Sequence, residues 1–271
     1  MQTNFKITVE YDGSHFSGWQ VQKRGVTVQG ELERAISLIL NQPIKVIGSG
    51  RTDAGVHAIG QAANFHARTD ISPENLLKGL NSIIKTPIVI RSCHIVPSDF
   101  HARYSATSKE YHYHILNCEY PCAIGRDYLW QIKEPLDIET MDKCCSMMLG
   151  EHDFKSFEAS GSPRSHTIRT IYKISIDSID YIEQNDLLFP ISPSVSAPFF
   201  SYPISKRVVF KIRGNGFLRF MVRNIVGTVV MAGLSRITVD DFKDIFKAKD
   251  RTLAGATAPA KGLVLMSVNY E

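Results

Sequence analysis

Long uncharged apolar runs are absent from this sequence of 271 residues. The longest apolar stretch, around Ile225 to Leu234, is about half as long as the roughly 18 residues that a membrane-spanning helix requires. The first residues alternate polar and apolar side chains and lack the basic segment and apolar block of a secretory signal. We therefore expect a cytoplasmic protein without membrane spans.

Cysteine is sparse, and its pattern argues against a disulfide framework. The five cysteines are odd in number and include no C-x-x-C pair, whereas disulfide-rich secreted domains carry even sets. Cys118 and Cys122 stand close together, but no second Cys or His pair has a matching spacing. We expect ordinary buried thiols and no metal site.

Charged residues make up 21% of the chain and hydrophobic residues 44%, a composition that predicts a globular protein and excludes a disordered one. The net charge of +4 is small, but cations are concentrated between residues 206 and 223, where no acidic residue occurs. From charge alone, this stretch fits a solvated strand face as well as a phosphate-binding surface. Its cations are Lys206, Arg207, Lys211, Arg213, Arg219 and Arg223.

Hydrophobic periodicity predicts the element order β-α-β-β-α-β twice along the chain. In the first half we predict strands at 5–11, 44–47, 60–66 and 88–96 and helices at 28–40 and 73–84. In the second half we predict strands at 109–117, 167–179, 206–216 and 262–270 and helices at 139–149, 218–233 and 240–248.

This order is that of the ferredoxin-like split β-α-β fold. We therefore predict an α+β fold of two ferredoxin-like subdomains, residues 1–105 and 106–271, whose antiparallel sheets meet at a central cleft. Residues 185–205, which are rich in proline and aromatic residues, fit neither copy and are predicted to be an insertion.

The most unusual loop is GSGRTDAGVHA at residues 48–58, where three glycines and two alanines surround Arg51, Asp53 and His57. Small residues let a backbone approach a ligand closely. The P-loop pattern G-x-x-x-x-G-K-[ST] is absent, which excludes a mononucleotide-binding P-loop. From the residues alone, Asp53 fits a salt bridge or a turn-capping carboxylate as well as a catalytic group.

The octapeptide GRTDAGVH at residues 50–57 resembles the signature loop of the TruA family of tRNA pseudouridine synthases. Other segments resemble the family in the same order along nearly the whole chain, with residues 185–205 as the departure. They are YDG at 11–13 with GWQ at 18–20, DFHAR at 99–103, YHY at 111–113, Gly150 with DF at 153–154 and SF at 156–157, MVRNIVG at 221–227, DR at 250–251, and TAPA at 257–260 with GL at 262–263.

The resemblance implies an isomerase that converts uridine to pseudouridine at positions 38, 39 and/or 40 of the tRNA anticodon stem-loop. It implies no metal or organic cofactor, and a homodimer whose protomers share one tRNA in the central cleft. Two alternatives remain, a catalytically silent structured-RNA-binding protein and a small-molecule enzyme that uses the cleft. The intact Asp53 counts against the first, and the lack of a phosphate or metal motif counts against the second.

The resemblance also assigns site residues. Asp53 is the catalytic carboxylate, which attacks the sugar C1′ or the base C6 or removes a proton near C1′, and Arg223 is its partner cation. Arg51 helps to extrude the target nucleotide or holds its backbone. Tyr111 stacks on the uracil and its hydroxyl could move the C5 proton, whereas Leu263 packs against the uracil pocket. The proposed contacts with the RNA backbone are Lys206, Arg207, Lys211, Arg213 and Arg219.

Each assignment has a structural alternative. Arg51 could clamp the loop, Arg223 could bind a phosphate at the surface, and Tyr111 and Leu263 could be ordinary core residues. The alternation of residues 111–114 predicts that the two tyrosines share one strand face and the two histidines the other.

Overall fold

The computed structural model describes residues 2–161, 166–180 and 205–270, so that the predicted insertion lies outside the described residues except for Ser205. Within these ranges the fold is mixed α/β, with five α-helices and mostly antiparallel strand pairs. Two compact units make up the chain. Unit 1 consists of Met1–Tyr111 and Val264–Glu271, and unit 2 consists of His112–Leu263.

The predicted subdomains, residues 1–105 and 106–271, stay a prediction. Unit 1 extends to Tyr111 and also includes almost all of the last strand. The physical reason is strand pairing, because Val264 and Leu265 pair in parallel with His57 and Ala58.

Unit 1 contains strands β1 (Thr3–Tyr11), β2 (Ile47–Gly48), β3 (His57–Ala67), β4 (Ile88–Val96) and β10 (Leu263–Tyr270, from Val264 onward), with helices α1 (Val28–Leu40) and α2 (Pro73–Ile83). Strand β1 pairs antiparallel with β3 and β4, and β2 pairs antiparallel with β3. The strand order is therefore β4-β1-β3, followed by β2 and β10 at different parts of β3.

Local sequence explains where the helices of unit 1 begin and end. The Thr27 side chain accepts a hydrogen bond from the Gly30 amide at the start of α1, and Asn41 ends that helix in the left-handed conformation. Helix α2 begins after a Ser72 cap with Pro73 in its first turn, a position that tolerates the missing N–H.

Unit 2 contains most of β5 (Ala106–Cys118), whose first residues belong to unit 1. It also contains β6 (Trp130–Ile132), α3 (Ile138–Ser146), β7 (Gly150–Asp153), β8 (Ile168–Asp180), β9 (Ser205–Gly214), α4 (Met221–Gly233) and α5 (Val239–Ala248). Strand β8 pairs antiparallel with β7 and β9, and β6 pairs in parallel with β5. The short strands β6 and β7 were not predicted.

Helix α4 lies in the core of unit 2, because 11 of its 13 residues are buried. A helix that is mostly apolar around its circumference is typical of a protein core. Four of the five cysteines are buried, as expected, and Cys122 is partly buried. No helix of the described residues is long and apolar enough to cross a membrane, and these residues contain no cluster of His, Cys, Asp or Glu side chains that could hold a metal ion.

Candidate active site

The loop of residues 48–58 connects β2 to β3 in unit 1 and carries Arg51 and Asp53. Thr52 is buried, Asp53 is half-buried and Arg51 is exposed. The Val56 amide donates to the Asp53 carbonyl oxygen at 3.1 Å, which closes a tight turn at the loop tip. The loop therefore presents Asp53 from a constrained backbone.

Two glycines before α1 allow the chain to pack against this loop. A side chain at Gly13 would collide with the carbonyl group of Val56. Gly18 has a φ of +95°, and a Cβ there would lie 2.8 Å from the Thr52 carbonyl oxygen. The Trp19 amide donates to that same oxygen at 3.1 Å. The segments YDG and GWQ thus support the backbone on which Asp53 stands.

Two further side chains hold the loop, and sequence reasoning gave neither a role. The Tyr11 hydroxyl lies 2.8 Å from the Thr52 hydroxyl, and Lys109 Nζ donates to the Ser49 carbonyl oxygen at 2.6 Å. The sequence signal for Lys109 was its position two residues before Tyr111, which places both side chains on one face of a strand.

Tyr111 is 9% exposed, and its phenol stays protonated. Burial raises the pKa of Tyr111, and the nearby Tyr11 and the negative charge of Asp53 raise it further. The Asp53 carboxylate therefore lies within electrostatic range of the Tyr111 hydroxyl in unit 1. The predicted alternation is confirmed, since Tyr111 and Tyr113 are buried and the two neighbouring histidines are half-buried.

His57 anchors the end of the loop. It is buried, its Nδ1 accepts a hydrogen bond from the Gly13 amide at 3.0 Å, and the same nitrogen lies 3.1 Å from Asp12 Oδ1. These contacts tie β3 to the turn after β1, which is a supporting role and not a contact with substrate.

Arg51 is the most exposed of the predicted site residues in unit 1. Its Nε donates to Gln20 Oε1 at 3.1 Å, and Gln20 in turn donates to Gln29 at the start of α1. These two hydrogen bonds orient the guanidinium of Arg51, although its side chain is exposed.

Arg223 and Leu263 belong to unit 2. Arg223 lies in the first turn of α4, where its Nε donates to the Ala258 carbonyl oxygen at 2.8 Å and its backbone carbonyl accepts from the Ala258 amide at 3.1 Å. The Tyr113 hydroxyl donates to the Pro259 carbonyl oxygen at 2.7 Å. Leu263 is 5% exposed. The predicted pair of Asp53 and Arg223 joins residues of different units and stays a prediction from the resemblance.

The cations of residues 206–213 divide between the two faces of β9. Arg207, Lys211 and Arg213 alternate along one face, and Lys173 on β8 stands opposite Arg213 in the register. Lys206 projects to the other face. Lys211 Nζ lies 2.5 Å from Asp177 Oδ2, and Arg207 Nη2 lies 3.3 Å from His114 Nδ1. We call Lys173, Arg207, Lys211 and Arg213 the basic face.

Comparison with known proteins gives a consistent result. A family described as tRNA pseudouridine synthase matches residues 7–105 and 144–271. A protein named tRNA pseudouridine synthase A from Thermoanaerobacter sp. (strain X514) is 43% identical over 267 residues, which cover 98% of this chain and 99% of the relative. The protein of that name from Limosilactobacillus reuteri (strain DSM 20016) is 41% identical over 269 residues, 98% of this chain and 96% of the relative.

These relatives match this chain almost from end to end, over 267 and 269 residues. The insertion at residues 185–205 stays a prediction. Among solved structures, a chain of the "Crystal Structure of a Cbf5-Nop10-Gar1 Complex" has a TM-score of 0.37 and 11% identity over 96% of this chain, which spans 48% of that chain. This likeness is too distant to support the fold assignment.

Proposed function

This chain belongs to the tRNA pseudouridine synthase family and isomerises uridine to pseudouridine in tRNA, and from that premise we propose that its targets are positions 38, 39 and/or 40 of the anticodon stem-loop. The support is the name tRNA pseudouridine synthase A, shared by relatives of 38% to 43% identity, together with the signature loop. We further propose a cytoplasmic homodimer that uses no metal or organic cofactor.

The reaction needs few chemical groups. The glycosidic bond between C1′ and N1 breaks, the uracil turns while it stays bound, and a new bond forms between C5 and C1′. The C5 proton leaves and N1 gains a proton, so no redox partner enters. One carboxylate that attacks C1′ or C6, or removes a proton near C1′, suffices as the essential group.

We propose Asp53 as that carboxylate. The observation that supports this assignment is its half-buried position on a constrained loop, where its negative charge raises the pKa of Tyr111. We propose that the ring of Tyr111 stacks on the uracil. Because its hydroxyl is protonated, it can take up the C5 proton only if it gives its own proton to another group. The negative charge of Asp53 acts on that hydroxyl.

Arg223, Arg51 and Leu263 complete the proposed site. Arg223 supplies the cation that keeps a desolvated Asp53 ionised. Arg51, exposed at the loop and directed by Gln20, acts on the extruded nucleotide or its backbone. Leu263, a buried residue at the start of β10, packs against the uracil pocket.

We also propose that the fold consists of two ferredoxin-like subdomains. In unit 1, the chain order β-α-β-β-α-β and the strand order β4-β1-β3-β2 support this topology. For residues 106–271, the support is the chain order β5-α3-β8-β9-α4-β10. The central RNA-binding cleft stays part of this proposal.

RNA backbone contacts are proposed for the basic face and for the exposed Arg219. Phosphates supply most of the affinity of proteins for nucleic acids, and a strand face with alternating cations follows a backbone without reading bases. Lys206, predicted with this group, points away from the other three cations of β9.

Mapping of pseudouridine in tRNA from cells with and without this protein tests the target positions. We expect pseudouridine at one or more of positions 38, 39 and 40 to disappear in cells that lack the protein. Retention of all three, or loss only at other positions, would contradict the proposed targets while leaving the family assignment intact.

The role of Asp53 is tested with Asp53→Asn in the purified protein. We expect no detectable isomerisation and a change in tRNA affinity of less than about tenfold, because phosphate contacts dominate binding. Asp70→Asn, at an exposed loop position of unit 1, is the matched control and should turn over normally. Measurable turnover by Asp53→Asn would exclude Asp53 as the essential carboxylate.

A further inference from the structure

A cavity of about 430 Å³ lies in unit 2 next to the start of α4. Among the described residues, its charged lining residues are Arg219 and Arg251, and none of its described lining residues is a carboxylate. Its other lining residues are Ala159, Ser160, Phe220, Thr252 and Thr257. Guanidinium groups are among the groups that proteins use to bind phosphate oxygens.

Arg251 is built into the wall of this cavity. Its Nη2 donates to Asn224 Oδ1 at 3.0 Å and to Thr257 Oγ1 at 3.1 Å, and its Nη1 donates to the Ala254 carbonyl oxygen at 3.1 Å. All three acceptors are neutral. A guanidinium has five N–H donors, so two donors of Arg251 have no acceptor among the described residues.

Neighbouring carboxylates do not neutralise this arginine within the described part of the chain. Asp250 accepts from the Thr252 amide and hydroxyl, both at 2.8 Å, and Glu158 pairs with Lys155 Nζ at 2.8 Å. Burial lowers the pKa of Arg251, which reflects the cost of holding its charge away from water. An anion that entered the cavity would offset this cost.

Arg219 faces the same cavity from the chain segment before α4. Its backbone carbonyl accepts from the Ala159 amide at 2.9 Å, which fixes the main chain, whereas its side chain is exposed. The guanidinium carbon lies 4.8 Å from the centroid of the Phe220 ring, a cation–π distance that holds the side chain beside the cavity.

We propose that this cavity binds a phosphodiester group of the tRNA backbone, with Arg251 as the fixed donor at the wall and Arg219 as the adjustable donor at the rim. The Thr252 and Thr257 hydroxyls also line the cavity, and they donate their protons to Asp250 and Asn224. The inference rests on tRNA as the substrate but not on the target positions or on the role of Asp53. Binding at this subsite holds the tRNA and contributes no reacting group.

The test measures tRNA affinity over a series of salt concentrations and compares each variant with the parent protein. The slope of log K against log [salt] is negative, and removal of one phosphate interaction reduces its magnitude by about 0.7 to 0.9. We expect Arg219→Ala to show such a decrease. Arg251→Gln keeps two N–H donors but loses the charge, and we expect a similar decrease.

Arg236→Ala is the matched control, because Arg236 is an exposed arginine of unit 2 that pairs with Glu134 at 3.3 Å. Its slope should equal that of the parent protein. If Arg251→Gln unfolds, the result for Arg219→Ala is sufficient to test the proposal. We expect Arg219→Ala to fold, because the exposed Arg219 side chain has a ring contact and no hydrogen bond within the described residues.

An unchanged slope for Arg219→Ala, or an equal change in the control, would overturn the proposal. A second measurement separates RNA from free anions. We expect about 10 mM inorganic phosphate at constant ionic strength to leave tRNA affinity nearly unchanged, because free phosphate lacks the rest of the tRNA contacts. An unchanged slope for Arg219→Ala, together with binding of inorganic phosphate in the absence of tRNA that Arg219→Ala weakens, would assign the cavity to a free anion instead.

Discussion

Tyr111 is kept neutral by its surroundings. Burial, Tyr11 and the charge of Asp53 all raise the pKa of its phenol. For an acid that becomes an anion, a raised pKa extends the neutral form to higher pH, so the phenolate is absent from the resting enzyme under physiological conditions. A free phenolate is therefore not the base that removes the C5 proton.

Titration of tyrosinate absorbance tests this conclusion without relying on activity. We expect wild-type protein and Tyr111→Phe to show the same absorbance from about pH 7 to about pH 9.5, because Tyr111 does not ionise in that range. Tyr172→Phe, which removes an exposed tyrosine, is measured alongside as the matched control. A tyrosinate signal near neutral pH that only Tyr111→Phe removes would contradict the assignment.

Substitutions of Arg223 distinguish two possible roles of this residue, pairing with Asp53 and contact with a phosphate. Without its predicted partner cation, Asp53 would favour the protonated form, so Arg223→Ala should lose most turnover near neutral pH and recover part of it as the pH rises. Arg223→Lys should retain more activity, since it keeps the charge. Single-turnover rates of bound tRNA across pH provide the measurement. A wild-type rate at every pH with weaker binding would show that Arg223 contacts phosphate only.

At the scale of secondary structure, helix α4 contains a glycine against which another segment of the chain packs very closely. Gly227 lies in the middle of this buried helix, and a Cβ there would collide with the Ala256 carbonyl oxygen. Glycine inside a helix costs about 1 kcal/mol relative to alanine. Here that cost permits the close approach of the loop that precedes Thr257.

Gly227→Ala should therefore destabilise the protein, although alanine is the better helix former. We expect a loss of about 1 to 3 kcal/mol in the free energy of unfolding, as in other overpacked cores, measured by urea denaturation. Gly79→Ala in α2 is the control, because its Cβ would meet only the flexible end of Ile39 at 3.2 Å. Equal stability of the two variants would contradict the close packing at Gly227.

Periodic elements were predicted more accurately than short ones. The bounds of α1 and β4 agree with the predicted residues, because both have strong apolar periodicity and clear ends. Strands β6 and β7 have three and four residues, too few for a pattern to emerge, and form through pairing with distant strands. The loop of Asp53 was recognisable from its residues, but the hydrogen bond from Lys109 depends on tertiary structure.

At the scale of the whole molecule, the net charge of +4 understates the attraction for a polyanion. Cations are concentrated on the basic face, where Asp177 is the carboxylate paired with Lys211. Affinity for tRNA should then depend on local clusters of charge, with a steep decrease as salt increases.

Charge reversal on β9 tests which face contacts tRNA. Arg213→Glu should lower the slope of log K against log [salt] by about one unit for each phosphate that the arginine neutralises. Lys206→Glu makes the same change in net charge on the opposite face and should have a smaller effect. Equal slopes for the two variants would indicate that net charge, and not the basic face, determines affinity.

The pairing of β10 with β3 has a consequence for synthesis on the ribosome. Unit 1 draws on Met1–Tyr111 and on Val264–Glu271, so all of residues 112–263 must be translated before it can be completed. At roughly 5 to 20 residues per second, this takes on the order of 10 to 30 seconds. Until then, β3 lacks its parallel neighbour at His57 and Ala58, next to the loop that carries Asp53. The signature loop is thus synthesised long before β10 is available to pair with the adjacent strand β3. During this interval the edge of β3 is unpaired and a chaperone could bind it.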